Sequence, residues 1–301
     1  MTEPLVSVIM STYNESLDEL RKSVDSVLNQ TYKNFEFIIV NDNPENEQLD
    51  SFLNKLIDKR IIIQKNKTNI GLVRSLNHAL ELCKGNYIAR IDADDVALPE
   101  RLEKQLRFLT DNDLDFIGAD IQLIDENNVV IKYRMHFPSD ETRIRKEIKW
   151  GNCIPHPTWL VKKEVFLKLN GYRNINTCED YDFILRALKN NIRVGNIPEI
   201  CLKYRVRQNS ISQSNSSEQL LLRMFLSKHM KTIDNISEDE VLSYKQSEQF
   251  QRDLEKYEKY EDDWKEFKNR KLNTIFRLMT NKYTYLMRIE RFHQKKREKM
   301  N

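Results

Sequence analysis

Glycine is scarce in this chain, at 6 of 301 residues. No G-x-x-x-x-G-K-[ST] loop, G-x-G-x-x-G turn, G-x-S-x-G elbow or H-E-x-x-H pair is present. Phosphate cradling by a glycine loop and hydrolysis by the common serine or zinc arrangements therefore lack their residues. The four cysteines, Cys83, Cys153, Cys178 and Cys201, lie far apart and include no C-x-x-C pair. That spacing excludes a disulfide or zinc framework and suits a reducing compartment, with Cys178 and Cys201 read as small core residues. A net charge of +3 is too small to indicate nucleic acid as a partner. No apolar run is long enough for a membrane span, and the opening "MTEPLVSVIMSTYN" soon turns polar, unlike a signal peptide. The expectation is a cytoplasmic protein whose membrane contact is at most peripheral.

What is present is alternation. "LVSVIM" (5–10), "FEFIIV" (35–40), "RIIIQ" (60–64) and "YIARID" (87–92) read as short apolar strands. Between them lie helical periodicities: one opened by the capping box Ser16–Glu19, and others at 45–57, 71–83 and 99–109, where Pro99 suits a first helical turn. This pattern predicts an α/β fold, a Rossmann-like, mostly parallel sheet flanked by helices. Residues 114–137 read as two strands around the turn "DENN", so antiparallel pairing is expected there. A helix at 140–149, a strand "CIPHPTWLV", a helix starting near Thr177 and a strand at 199–206 complete the unit. The polar, serine-rich stretch 207–218 marks a boundary, giving a domain over 1–212 and a helical region over 213–301.

That second region has no glycine or proline from residue 219 onward. Within 281–301, seven basic residues face two acidic ones and are interleaved with Tyr283, Tyr285 and Phe292. The pattern admits two readings: a solvated helix packed on the main domain, or a peripheral anchor on anionic lipid. Long amphipathic helices of this kind also pair between copies, so a homo-oligomer is a further expectation.

In an open α/β sheet, ligands bind beyond the carboxyl ends of the strands. Here those ends carry "STYNE" (11–15), "NDN" (41–43), "NKTNIG" (66–71) and "DADD" (92–95). Asp92 and Asp94 are two apart, and on an extended segment they would share a face and converge on one divalent cation, Mn2+ or Mg2+. The plainer reading is an acidic turn leading into the next helix. Likewise, Glu179 and Asp180 in "TCEDYDF" suit either chemistry or the first turn of a helix capped by Thr177.

Taken together, "VSVIMSTYNE", "FIIVND", "NIGLVRSLNHALELCKGNYIARIDADD", "LPERLEKQ", "GYR", "CEDYDFILRAL" and "YRVRQNSIS" resemble the family 2 glycosyltransferases of GT-A fold, over about residues 5–212. The resemblance implies an inverting, metal-dependent transfer of a sugar from a UDP-sugar to an acceptor hydroxyl. Thr12, Tyr13 and Glu15 would line the nucleoside pocket, Asp42 would hold the base or ribose, and Asn69 and Arg74 would face the nucleotide. Asp92 would lie near ribose and metal, with Asp94 as the metal ligand. Asp180 would be the general base, with Glu179 beside it for the acceptor. His156 and Trp159 would border a sugar, although a hydrogen-bonded core His and a core Trp fit the same residues. Many relatives carry a histidine where Arg207 or Gln208 stands, so Arg205 or Arg207 would pair with the diphosphate instead. No Q-x-x-R-W and no membrane spans are present, which favours single addition over processive synthesis. A growing bacterial surface glycan, free or carried on lipid, is the implied acceptor. The other readings are a non-catalytic nucleotide-sugar or glycan-binding subunit and a sugar-phosphate nucleotidyltransferase, whose usual basic glycine loop is missing.

Overall fold

The computed structural model describes residues 3–175, 177–207, 216–268, 278 and 281–298. Four parallel strands, β1 (Val6–Thr12), β2 (Phe35–Asn41), β3 (Ile61–Lys65) and β4 (Tyr87–Arg90), form one half of a nine-stranded sheet. β1 pairs with both β2 and β4, so the chain runs outward through β2 and β3 and then crosses back to β4. The strand order thus reverses at β1, which opens a crevice at the carboxyl ends of β1 and β4.

Period-two alternation covers both faces of this half. Val6, Val8 and Met10 point to one hydrophobic layer, with Leu20, Val24 and Val27 of α1 (Leu17–Leu28), Leu49 and Phe52 of α2 (Glu47–Asn54) and Leu102 and Leu106 of α4 (Arg101–Asp111). Ile9, Ile38 and Val40 point to the other, under Val73 and Leu76 of α3 (Leu72–Leu82). The expected capping box is formed: the Glu19 N–H donates to Ser16 Oγ at 3.3 Å and the Ser16 N–H to Glu19 Oε2 at 3.2 Å.

Beyond β4 the sheet turns mixed, in the order β4, β8 (Leu160–Lys162), β6 (Phe116–Ile124), β9 (Val194–Arg205) and β5 (Val96–Ala97), with β7 (Val130–Met135) hairpinned onto β6. β4–β8, β6–β8, β6–β7 and β5–β9 are antiparallel, while β6–β9 is parallel. The sequence "CIPHPTWLV" is a strand only at its end. Pro155 and Pro157 lack the N–H a ladder needs, and His156–Thr158 forms a short 3-10 turn instead. β9 begins at Val194, five residues before the expected start, and α4 begins at Arg101, past Pro99.

α5 (Glu141–Glu147), α6 (Lys163–Lys168) and α7 (Glu179–Lys189) cover the second face. The region after the serine-rich stretch is helical, as expected: α8 (Ser216–Lys228), α9 (Glu238–Gln246), α10 (Glu248–Lys268) and α11 (Lys282–Glu298). Leu221, Leu226, Val241, Phe250, Tyr257 and Tyr283 from these helices join the same hydrophobic cluster as Ile148, Tyr181 and Phe183. Their apolar stripe thus packs on the sheet-bearing part of the chain. The boundary placed at 212/213, like Gln208, lies outside the described residues. Among the described residues no helix is long and apolar enough to cross a membrane.

Candidate active site

At the end of β1, the Glu15 carboxylate accepts from Thr12 Oγ1 (2.8 Å) and from the Tyr13 N–H (2.9 Å), leaving the Tyr13 ring 46% exposed on the rim. Asp42, just past β2, is buried and organises the neighbouring loop. Its Oδ1 accepts from Asn66 Nδ2 (2.8 Å) and the Ile70 N–H (2.9 Å), and its Oδ2 from the Gly71 N–H (2.9 Å). Gly71 sits at φ +84°, a conformation suited to glycine, and the loop then enters α3. Asn69 and Arg74 are exposed at this entry.

The acidic stretch is a turn. β4 ends at Arg90, and the Asp95 N–H closes back on the Asp92 carbonyl at 3.3 Å. The shared strand face expected for Asp92 and Asp94 is therefore absent, because the chain curls before reaching them. Asp92 is held by the buried Arg90, which reaches both its carboxylate oxygens, with NH1 to Oδ2 at 2.6 Å. Asp94 lies 3.1 Å from Arg207 Nε. Burial, then the Asp92 charge, push the Asp94 carboxyl up to about 7, against the pull of Arg207. Asp95 is buried and takes the Arg205 N–H at 2.8 Å. Burial and its two acidic neighbours raise it well above the usual carboxylate range. Two carboxylates, Asp92 and Asp94, close together in one turn form a donor set that suits Mg2+ or Mn2+, which commonly takes one or two carboxylates and completes its shell with phosphate oxygens and water. Among the described residues no cluster of three or more His, Cys, Asp or Glu could hold a metal without such help.

Arg205 corrects an expectation. Instead of presenting its guanidinium to a diphosphate, it donates Nε to the Asp94 carbonyl (2.9 Å), NH1 to the Asp125 carbonyl (2.8 Å) and NH2 to Asn128 Oδ1 (2.8 Å). It is a buried strut between the acidic turn and the β6–β7 hairpin. Arg207 is the more open of the two and also reaches Glu19 Oε2 at 2.9 Å.

The charge of Arg90 also acts on a second acidic pair, Glu179 and Asp180. Thr177 does not cap the helix: it sits at φ +73°, and α7 starts at Glu179 with no side-chain cap. The Asp180 Oδ1 accepts from the Tyr181 N–H (2.6 Å) and its Oδ2 from Asn152 Nδ2 (2.6 Å). Burial raises Asp180 above the usual carboxylate range, and burial plus the Asp180 charge push Glu179, 7% exposed, up to about 8. The charge of Arg90 opposes both shifts, so one buried guanidinium serves the two acidic groups. Its signal in the sequence is a lone basic residue in the apolar strand "YIARID".

His156 and Trp159 are core residues. His156 is 7% exposed, bonds through Nε2 to the Tyr172 hydroxyl (3.0 Å) and is kept neutral by burial, which holds its pKa well below 6.5. Trp159 is 0% exposed, donates Nε1 to the Ile154 carbonyl (3.0 Å) and meets Phe116 edge-on at 4.6 Å. Buried on every side, the indole has no face for a sugar. The open space lies elsewhere: a cavity of about 420 Å3 beside Asp180, lined also by His136, Asn152 and Thr177 and walled by Tyr257 and Met287 of the C-terminal helices. No spacing pattern marks Asn152 or His136 in the sequence.

A glycosyltransferase of O-antigen biosynthesis from Escherichia coli, WbnJ, is 39% identical over 77% of this chain and 92% of its own length. An uncharacterized glycosyltransferase from Methanocaldococcus jannaschii is 39% identical over 71% of this chain and 75% of its own. Among solved structures, S. aureus TarS with UDP-GlcNAc superposes with a TM-score of 0.58 at 19% identity, covering 83% of this chain and 78% of that one, and shares the GT-A fold. A mannosyltransferase from Pyrobaculum calidifontis with GDP-Man and Mn2+ gives 0.57 at 15%, covering 75% and 64%. The glycosyl transferase family 2 model matches residues 7–169, and the chain belongs to that family of transferases.

Proposed function

We propose that this transferase moves a hexose or N-acetylhexosamine, with inversion and one sugar at a time, from a UDP-sugar to a hydroxyl of a bacterial surface glycan. The observation that carries the reading is the placement of Asp180 on the wall of the cavity, where the buried Arg90, which also holds Asp92, offsets its charge. Donor and acceptor would meet across that guanidinium. The acceptor oxygen attacks the anomeric carbon from the face opposite the diphosphate. The bond to UDP breaks with its electron pair leaving on the phosphate, and the acceptor proton passes to the Asp180 carboxylate. Burial raises that carboxyl toward working pH, which strengthens it as a base, and such assistance is typically worth ~10²–10⁴-fold. Asp94, with Asp92, would hold Mn2+ or Mg2+, which when bound offsets charge on the diphosphate. Thr12, Tyr13 and Glu15 would border the nucleoside, Asp42 would act through the loop it fixes, and Asn69, Arg74 and Arg207 would face the diphosphate side.

The name of a further relative supports the donor and acceptor classes: an Escherichia coli UDP-Glc:alpha-D-GlcNAc-diphosphoundecaprenol beta-1,3-glucosyltransferase, 31% identical over 72% of this chain. A lipid-borne acceptor also gives a role to α11, where Tyr285 and Phe292 are 70% and 65% exposed among basic residues, suiting peripheral contact with a cytoplasmic membrane face. The test is UDP release from a panel of UDP-sugars with and without Mn2+, followed by NMR of the anomeric product. One donor is expected to be hydrolysed slowly and only with metal. Asp94→Ala should abolish that hydrolysis. Asp180→Asn should lower transfer by roughly 10²-fold or more while leaving donor binding intact; normal transfer by that variant would refute the base assignment.

A further inference from the structure

Asp120 on β6 is fully buried and gathers three donors: the Phe137 N–H at 2.9 Å, Arg134 Nε at 2.8 Å and His136 Nδ1 at 2.7 Å. A carboxylate only accepts, so His136 Nδ1 carries a hydrogen, and in the tautomer with that single hydrogen Nε2 keeps its lone pair, away from Asp120. That Nε2 is buried and has no hydrogen-bond partner among the described residues, and His136 lines the same cavity as Asp180 and Asn152. Thr177, on the cavity wall in its left-handed conformation, likewise carries a buried Oγ1 with no oxygen or nitrogen partner among the described residues.

A buried polar atom without a partner is costly, and His136 Nε2, on a residue of the cavity wall beside a raised carboxyl, calls for a ligand that satisfies it, while Thr177 Oγ1, next to the Cys178 thiol, has bonding capacity left over. We propose that His136, oriented by Asp120, is an acceptor-binding residue: its Nε2 receives a hydrogen bond from a sugar hydroxyl neighbouring the one that Asp180 deprotonates. Thr177 Oγ1 meets a further polar group of the same sugar. Met135, Leu220 and Met287 on the remaining wall suit the C–H face of a pyranose. The ligand class is thus a saccharide with adjacent hydroxyls, and the acceptor site is built partly from the C-terminal helices. The proposal rests on the reading of Asp180 as base.

The test uses the full chain and a panel of octyl glycosides of glucose, galactose, N-acetylglucosamine and N-acetylgalactosamine, with the UDP-sugar donor present for kinetics and UDP bound for the NMR titration. His136→Asn keeps an amide for Asp120 but presents nothing at the Nε2 position, whereas His136→Gln carries an amide close to it. With the best glycoside, His136→Asn is expected to raise acceptor KM about 10-fold or more, with donor hydrolysis unchanged, and His136→Gln to recover part of the loss. In the wild type, the 15N resonance of His136 Nε2 should move upfield on glycoside titration. An acceptor KM within twofold of wild type, a parallel fall in donor hydrolysis, or an Nε2 resonance that no glycoside moves would overturn the proposal. Failure of the base reading alone looks different: Asp180→Asn would transfer normally while the Nε2 resonance still responded.

Discussion

Replacing Glu179 by Gln should stabilise the protein, and by more at high pH than at low. The carboxyl is 7% exposed, and burial together with the Asp180 charge raises it from the ordinary 4.5 to about 8. The native state therefore holds this proton more tightly than the unfolded chain. Below pH 4.5 both states are protonated and the group is neutral in its effect. As pH rises from there through about 8, the unfolded chain ionises first and the wild type loses stability, at about 1.4 kcal/mol per pH unit for a fully independent group. Asp180 shares the same buried charge, so only part of that interval belongs to Glu179 itself, on the order of 2–3 kcal/mol. Gln cannot ionise and escapes the loss. For a chain of this size each kcal/mol is worth roughly 2 °C, so the melting-temperature gain of Glu179→Gln should be about 4–6 °C larger at pH 8 than at pH 5. The assay is scanning calorimetry of both proteins at several pH values without donor or divalent cation. Parallel Tm-against-pH curves, or a gain that shrinks as pH rises, would refute the argument that Glu179 is a destabilised buried acid.

Trp159→Ala should cost ~3–5 kcal/mol in urea unfolding, since the indole is enclosed by Phe116, Tyr172 and Phe183. A residue on a sugar-binding surface would give a far smaller loss. Arg205→Lys should lower Tm and raise the donor KM together, because one ammonium cannot span the acidic turn and the hairpin turn 125–128 that the guanidinium joins. Calorimetry alongside UDP titration checks it, and an unchanged donor KM would show that the strut does not shape the donor site.

The parallel half of the fold was legible because its signals are local and redundant. Residues 35–40 alternate between two buried faces, and Ser16 with Glu19 announces α1 at the position observed. The site was legible as a set of loops and less so as geometry. Asp92 and Asp94 were placed on an extended segment, yet the strand stops at Arg90 and a turn follows. Thr177 looked like a cap, but a left-handed residue there shifts the start of α7 to Glu179. Trp159 and Arg205 fit ligand roles by sequence, and only their surroundings refuse them: an aromatic cluster in one case, carbonyl oxygens of distant loops in the other. Sequence spacing carries no record of such neighbours. Asn152 and His136 reach the cavity from segments 28 and more residues before Asp180, with no motif to announce them.

The strut has a consequence for how the protein is made. Arg205 donates its N–H to Asp95 and its Nε to the Asp94 carbonyl across 110 and 111 positions of chain. At translation rates of about 5–20 residues per second, the acidic turn leaves the ribosome roughly 5–20 seconds before the residue that braces it. During that interval β1 to β4 can pair, but Asp94 and Asp95 lack their brace. A nascent chain stopped short of β9 would thus hold the parallel half of the fold with its acidic turn unbraced, and the turn would be completed in one step, when β9 docks beside β6.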